Sequence, residues 1–250
     1  KKFFPRPNHA GDQMNGYILK PTNFDPSKRY PVVMSQYSGP GSQSVLDKWT
    51  IDWEYYLVSK GFIVACVDGR GTGGRSRAYE TSVYMQLGKL ETEDQVAGAE
   101  YMRTLPYVDD KHIGIYGWSY GGYETLMAMS TSNGTYQAGV AIAPVTDWRY
   151  YDTIYAERFM RTPNENNEGY EQSAPITHAE KLKGDLLIIS GTADDNVHYL
   201  NTLQYSAALI EAGIQFDTQI YTNKDHHIRG CNTRHHLYSK VCNFFLDKLK

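Results

Sequence analysis

Gly117-Trp118-Ser119-Tyr120-Gly121-Gly122 sets one serine between glycines two residues to either side. This is the G-x-S-x-G pattern of a sharp strand-to-helix turn that exposes a nucleophile. A serine hydroxyl needs a base within hydrogen-bond reach, and the base needs a carboxylate to orient it. Downstream, Gly191-Thr192-Ala193-Asp194-Asp195-Asn196 offers two carboxylates, and Asn223-Lys224-Asp225-His226-His227 offers two imidazoles. Serine, acid and histidine in that chain order suit acyl transfer through such a turn. Spacing alone leaves both members of each doublet open. Of the remaining histidines, His9, His112 and His178 stand away from the strand ends that matter, and His235 and His236 lead into a terminal helix.

The elements that must hold these groups alternate. Arg29–Tyr37 and the β-branched run Phe62–Val67 are strand-like, and Leu46–Lys60 between them fits a helix closed by Gly61. Val96, Ala99, Met102 and Leu105 recur at helical spacing and stop at Pro106. His112–Tyr116 is a strand before the serine, and a helical pattern runs from about Gly122 to Ser130. Ala138–Ala143 is strand-like, Tyr150–Met160 helical, and Arg161–Ala174 polar and loop-like. The strand Leu186–Ser190 opens onto the carboxylate loop. A helix marked by Leu200, Leu203, Ala207 and Ile210 follows, then alternating Phe216, Thr218 and Ile220 before the histidine loop. Leu237, Val241, Phe244, Phe245 and Leu249 give a terminal amphipathic helix whose apolar face fits the core. The expected fold class is α/β: one domain over residues 1–250 with a mostly parallel sheet and helices on both faces.

Composition narrows the function. With 25 Lys+Arg against 28 Asp+Glu, the net charge of −3 offers no basic field for nucleic acid and no polybasic run for anionic lipid. The apolar runs fall far short of the roughly 20 residues of a membrane span. Three cysteines form no CxxC; Cys66 reads as a buried hydrophobe, and a Cys231–Cys242 pairing stays open. There is no His-x-x-x-His helix, so neither metal nor cofactor is implied. Twenty-one tyrosines supply amphipathic rings for a pocket or an interface. Gly69-Arg70-Gly71-Thr72-Gly73-Gly74 fits G-x-G-x-x-G, but no convincing helix pattern follows to receive a pyrophosphate. Asp68, Arg70 and Arg75 are expected to fix that loop by ion pairs.

Several of these segments together resemble the dipeptidyl peptidase IV branch of the prolyl oligopeptidase family of serine peptidases. They are Gly117–Gly122, Asp68–Gly73, Ala143–Asp152, Tyr155–Arg158 and Gly191–His198, and the likeness runs from about Tyr17 to the end. The resemblance implies the α/β-hydrolase fold, with Ser119 as nucleophile, Asp194 as orienting acid and His226 as base. His227 stands where relatives usually carry glycine. It further implies an oxyanion hole from the Tyr120 N–H and the Tyr37 hydroxyl. Trp148, Tyr151 and Tyr155 fall at i, i+3, i+7 and by spacing alone suit a core stripe. The resemblance makes them, with Tyr120, Val145 and Val197, the walls of a pocket for a penultimate proline or alanine of a peptide. Asn196 would bond a substrate carbonyl, and the Tyr151 hydroxyl would approach the free amine.

Relatives of this branch carry an N-terminal β-propeller whose glutamates set a two-residue ruler. The expectation here is the C-terminal catalytic domain of a longer enzyme, with weak dipeptide selectivity on its own. Family partners are peptides and, in many members, a second copy; the settings are periplasmic, extracellular or cell-surface. Two other functions compete. A carboxylesterase uses the same triad and would cleave acyl esters but not Xaa-Pro amides. A non-catalytic interaction module on the same scaffold would be expected to lose a triad member, and none is lost.

Overall fold

The uninterrupted apolar runs arise because their strands are covered on both faces. In β3 (Tyr30–Ser35), β4 (Ile63–Asp68), β6 (Ala138–Ile142) and β7 (Asp185–Gly191), successive residues point alternately into two cores. Val32, Met34, Ile63, Ala65 and Ile188 enter one; Val33, Val64, Val140, Leu187 and Ile189 enter the other. The computed structural model describes residues 1–250. The remaining strands are β1 (Lys2–Pro7), β2 (Gln13–Leu19), β5 (Val108–Trp118) and β8 (Asp217–Tyr221), and the eight form one sheet ordered β1-β2-β4-β3-β5-β6-β7-β8. Every neighbouring pair from β4 to β8 is parallel. This is the expected α/β-hydrolase architecture. The antiparallel hairpin β1–β2, joined to β4, went unforeseen. Its outer strand is largely exposed and carries Pro5 and Pro7, a composition tolerated only at a sheet edge.

Helices α3 (Lys89–Arg103), α4 (Tyr120–Thr131) and α7 (Leu200–Glu211) cover one face; α1 (Glu54–Ser59) and α8 (Thr233–Lys248) cover the other. Short helices α2 (Arg77–Thr81), α5 (Thr153–Met160) and α6 (Asn167–Gln172) lie in the connections. The apolar face of α8 is core, as expected: Leu237, Val241, Phe244, Phe245 and Leu249 are all buried. No helix is long and apolar enough to cross a membrane.

Several expectations need correction. The helix over Leu46–Lys60 shrinks to α1. Trp49 and Ile51 stay 83% and 69% exposed, and the first turn forms only where the Asp52 carbonyl accepts the Tyr55 N–H at 3.1 Å. The polar segment Arg161–Ala174 is not all loop, since it contains α6. The stripe Leu200, Leu203, Ala207 and Ile210 faces outward, and α7 instead buries Asn201, Thr202, Tyr205 and Leu209. Hydrogen bonds explain the reversal: Asn201 Oδ1 accepts the Thr146 N–H at 2.9 Å, and the Thr202 and Ser190 hydroxyls meet at 2.5 Å. Of the three residues expected to pair in the glycine loop, only Arg70 forms ion pairs, to Asp94 and Glu93. Asp68 accepts the Ser44 and Val45 amides, and Arg75 donates to Asn15. Cys231 and Cys242 are both free.

Candidate active site

β5 ends at Trp118 and α4 begins at Tyr120, so Ser119 makes the turn by itself at φ 60°, ψ −115°. A non-glycine residue in such a region costs on the order of 1–3 kcal/mol and persists only where its surroundings hold it. Here β6 holds it: the Ser119 N–H donates to the Ile142 carbonyl at 2.8 Å, and the Ser119 carbonyl accepts from Tyr123 at 2.9 Å. Close approach explains the flanking glycines. A Cβ at Gly121 would stand 2.6 Å from the Gln36 carbonyl, and one at Gly117 would overlap the Gly121 carbonyl. Gln36, buried just past β3, ties the turn down by donating from Nε2 to the Gly121 carbonyl at 2.8 Å. No motif marks Gln36; its role arises from contact across 85 residues of chain.

The two loops that face this turn are laced together. The Ala193 N–H donates to the Lys224 carbonyl, and the Thr192 N–H to the Tyr221 carbonyl, each at 3.0 Å. The lacing brings His226 Nδ1–H onto Asp194 Oδ2 at 2.7 Å, with the two residues 7% and 6% exposed. Asp194 Oδ1 accepts the Asn196 and Val197 amides at 3.0 and 2.9 Å, which fixes the carboxylate plane. With Nδ1 engaged, the free lone pair of the neutral ring lies at Nε2. Asp195 and His227 are both exposed, so geometry singles out the first member of each doublet. The half-buried Ser119 makes no side-chain cap bond, and no hydrogen bond joins its Oγ to the imidazole. The row is closed at the carboxylate and open at the hydroxyl, the end that commonly tightens only with substrate bound.

Against known proteins, the prolyl oligopeptidase family model matches residues 49–250. The chain belongs to the prolyl oligopeptidase family. It is similar to dipeptidyl peptidase 4 of Sus scrofa, at 41% identity over 231 residues, which are 91% of this chain and 30% of that protein. It also superposes on the crystal structure of Porphyromonas gingivalis dipeptidyl peptidase 4 with a TM-score of 0.97 and 54% identity, covering 99% of this chain and 35% of that one. The chain thus spans about a third or less of the relatives it matches.

In this family member the remaining site candidates gather beside Ser119. Tyr37, just past β3, stands 6.1 Å ring to ring from Tyr120. The first amides of a helix have no partner within it, so the Tyr120 N–H is a free donor. Trp148 packs against Tyr120, Tyr151 and Tyr155 at 5.5, 5.9 and 5.8 Å, and Val145 and Val197 close the same cluster. The expected single helix through Trp148, Tyr151 and Tyr155 is absent. A 3-10 turn, Trp148–Tyr150, ends in an extended Tyr151, and α5 begins only after Asp152. The rings meet because Asp152 restarts the helix by accepting the Tyr155 N–H at 2.8 Å. The Tyr151 hydroxyl donates to Asn196 Oδ1 at 2.6 Å, joining the pocket wall to the Asp194 loop.

Two further contacts carry no sequence signature. Trp118 Nε1–H donates to the His226 carbonyl at 3.0 Å, with the Arg234 guanidinium 4.7 Å over its ring. The Tyr120 hydroxyl donates to the buried Glu91 at 2.7 Å.

Proposed function

We propose that this chain carries the chemistry of a dipeptidyl peptidase IV-type serine peptidase. The observation that supports it most is the buried 2.7 Å bond from His226 Nδ1 to Asp194, on loops laced beside a strained Ser119. In this reading Ser119 Oγ attacks the carbonyl of the scissile peptide bond while His226 Nε2 takes its proton. Asp194 keeps the imidazole in the correct tautomer and stabilises the imidazolium. The developing oxyanion receives hydrogen bonds from the Tyr120 N–H and the Tyr37 hydroxyl. The imidazolium then protonates the leaving amine, and water, activated by the same imidazole, releases the acyl group from Ser119.

Specificity follows from the ring cluster. Trp148, Tyr120, Tyr151 and Tyr155, with Val145 and Val197, form apolar walls suited to a pyrrolidine ring or a methyl group. The substrate taken is a peptide with proline or alanine in the second position. Asn196 bonds the preceding carbonyl, and the Tyr151 hydroxyl approaches the free amine. A second copy of the chain is the proposed macromolecular partner.

Treatment with a fluorophosphonate followed by peptide mapping tests the reading. Ser119 is expected to carry the adduct, Ser119→Ala to stay blank, and Gly-Pro-p-nitroanilide to slow the labelling by competition. An adduct elsewhere, or none, sinks the proposal.

A further inference from the structure

Behind the ring cluster lie two buried carboxyl groups without a cation. Glu91, in the first turn of α3, and Glu124, on α4, are 1% and 0% exposed. Glu91 Oε1 accepts the Tyr120 hydroxyl at 2.7 Å, and Glu124 Oε1 accepts the Thr92 hydroxyl at 2.9 Å; Oε2 of each meets no partner. The nearby buried guanidinium, Arg70, is spent on Asp94 and Glu93. A buried carboxylate without a counter-charge is costly, and an apolar residue or an amide would fill the space at less expense.

Tyr120 is where that cost has an outlet. Its backbone N–H is the free donor beside Ser119, and its ring is a pocket wall, 5.5 Å from Trp148 and 5.1 Å from Tyr123. Holding the hydroxyl fixes the depth of the ring and steadies the first residue of α4. We propose that Glu91 is the positioning residue of the oxyanion turn and of the pocket wall, acting through the Tyr120 hydroxyl. The inference rests on the peptidase reading above.

Charge gives it a handle. Burial pushes Glu91 up to about 7, with the Tyr120 hydroxyl and the amides of Glu91 and Gly88 pulling it back. Burial likewise holds Glu124 well above the carboxylate range. The titratable groups facing Glu91 are Tyr120, Tyr123 and Glu124 from α4, Tyr155 from α5, and Asp94 on its own helix. None is a cation. Below about pH 7 the Tyr120–Glu91 bond is neutral. Above it the bond is charge-assisted and about twice as strong. Acylation therefore gains as Glu91 ionises. Stability runs the other way: the contribution of the protonated form is complete below the ordinary carboxylate range and is lost as pH rises through about 7.

The test compares fluorophosphonate labelling of the wild-type chain, Glu91→Gln, Tyr120→Phe and the double variant from pH 5 to 9. At the alkaline end each single variant is expected to label about tenfold more slowly, equivalent to about 1.4 kcal/mol of barrier. The double variant should be no slower than either single one. The advantage of the wild type over each variant should shrink as pH falls through about 7, because Glu91 is then protonated. Tyr120→Phe keeps the ring, so it carries the test if Glu91→Gln does not fold. Additive losses, or wild-type rate and pH profile in either folded variant, overturn the inference while the peptidase reading stands. A wild-type chain that takes no label at Ser119 sinks that reading, and this inference with it.

Discussion

Tyr37 stands apart from the other tyrosines around Ser119. It keeps 40% of its surface in solvent, whereas Tyr120 and Tyr123 are buried, and no hydrogen bond engages its hydroxyl. Burial of the rest of the ring raises its pKa, so it remains a protonated donor at neutral pH. A donor held free for an oxyanion is worth about 10²–10³ in rate. Tyr37→Phe is accordingly expected to slow acylation of Ser119 by that factor in stopped-flow fluorophosphonate kinetics, with an unchanged melting temperature. A loss below about threefold would leave the Tyr120 amide as the sole donor. At this scale the sequence was legible where chemistry demands a motif. Ser119 carried its glycines, and Asp194 and His226 stood at the ends of strands. Gln36 and Glu91 were not legible, because a lone buried glutamine or glutamate acquires a role only from what the fold brings beside it.

At the scale of elements, contact and conformation have to be separated. Trp148, Tyr151 and Tyr155 meet as their spacing suggests, yet two short helical pieces with an extended residue between them make the contact. Asp147 and Asp152 each cap one piece, by accepting the Arg149 and Tyr155 amides. The break was hidden because capping aspartates also occur on helix surfaces, and periodicity does not register one extended residue. Loss of such a cap costs about 1 kcal/mol. For a chain of this size Asp152→Ala should therefore lower the melting temperature by about 2–4 °C. Because the cap also sets where Tyr155 begins to wall the pocket, KM for an Xaa-Pro amide is expected to rise more than kcat falls. Calorimetry with steady-state kinetics checks both, and an unaltered KM would detach the cap from the pocket. In α7 the apolar periodicity was real but pointed away from the core, since the hydrogen bonds of Asn201 and Thr202 outweighed it.

For the whole molecule, that reversed helix changes what the surface offers. The parallel order of the sheet and its double covering were readable from strand composition, and both cores lie where the β-branched runs placed them. What no run could disclose was the side of α7 that solvent would see. Leu200, Leu203 and Ile210 are 45%, 50% and 68% exposed, and Ala207 is exposed between them. The helix leads into β8, which ends the sheet with one side unpaired. A row of exposed apolar side chains and an open strand edge are both features that proteins ordinarily cover. The apolar face of α8 is spent on the core, and α7 with β8 is the surface proposed for the second copy. A symmetric dimer would place each stripe against its own equivalent, so one charge per chain enters the contact twice. Sedimentation velocity at tens of micromolar is expected to show a dimer for the wild type and a monomer for Leu203→Glu. Since Leu203 is half exposed and belongs to none of the buried clusters, the variant should retain its melting temperature and its labelling at Ser119. A wild-type chain that sediments as a monomer at that concentration would leave the stripe without the partner argued for it.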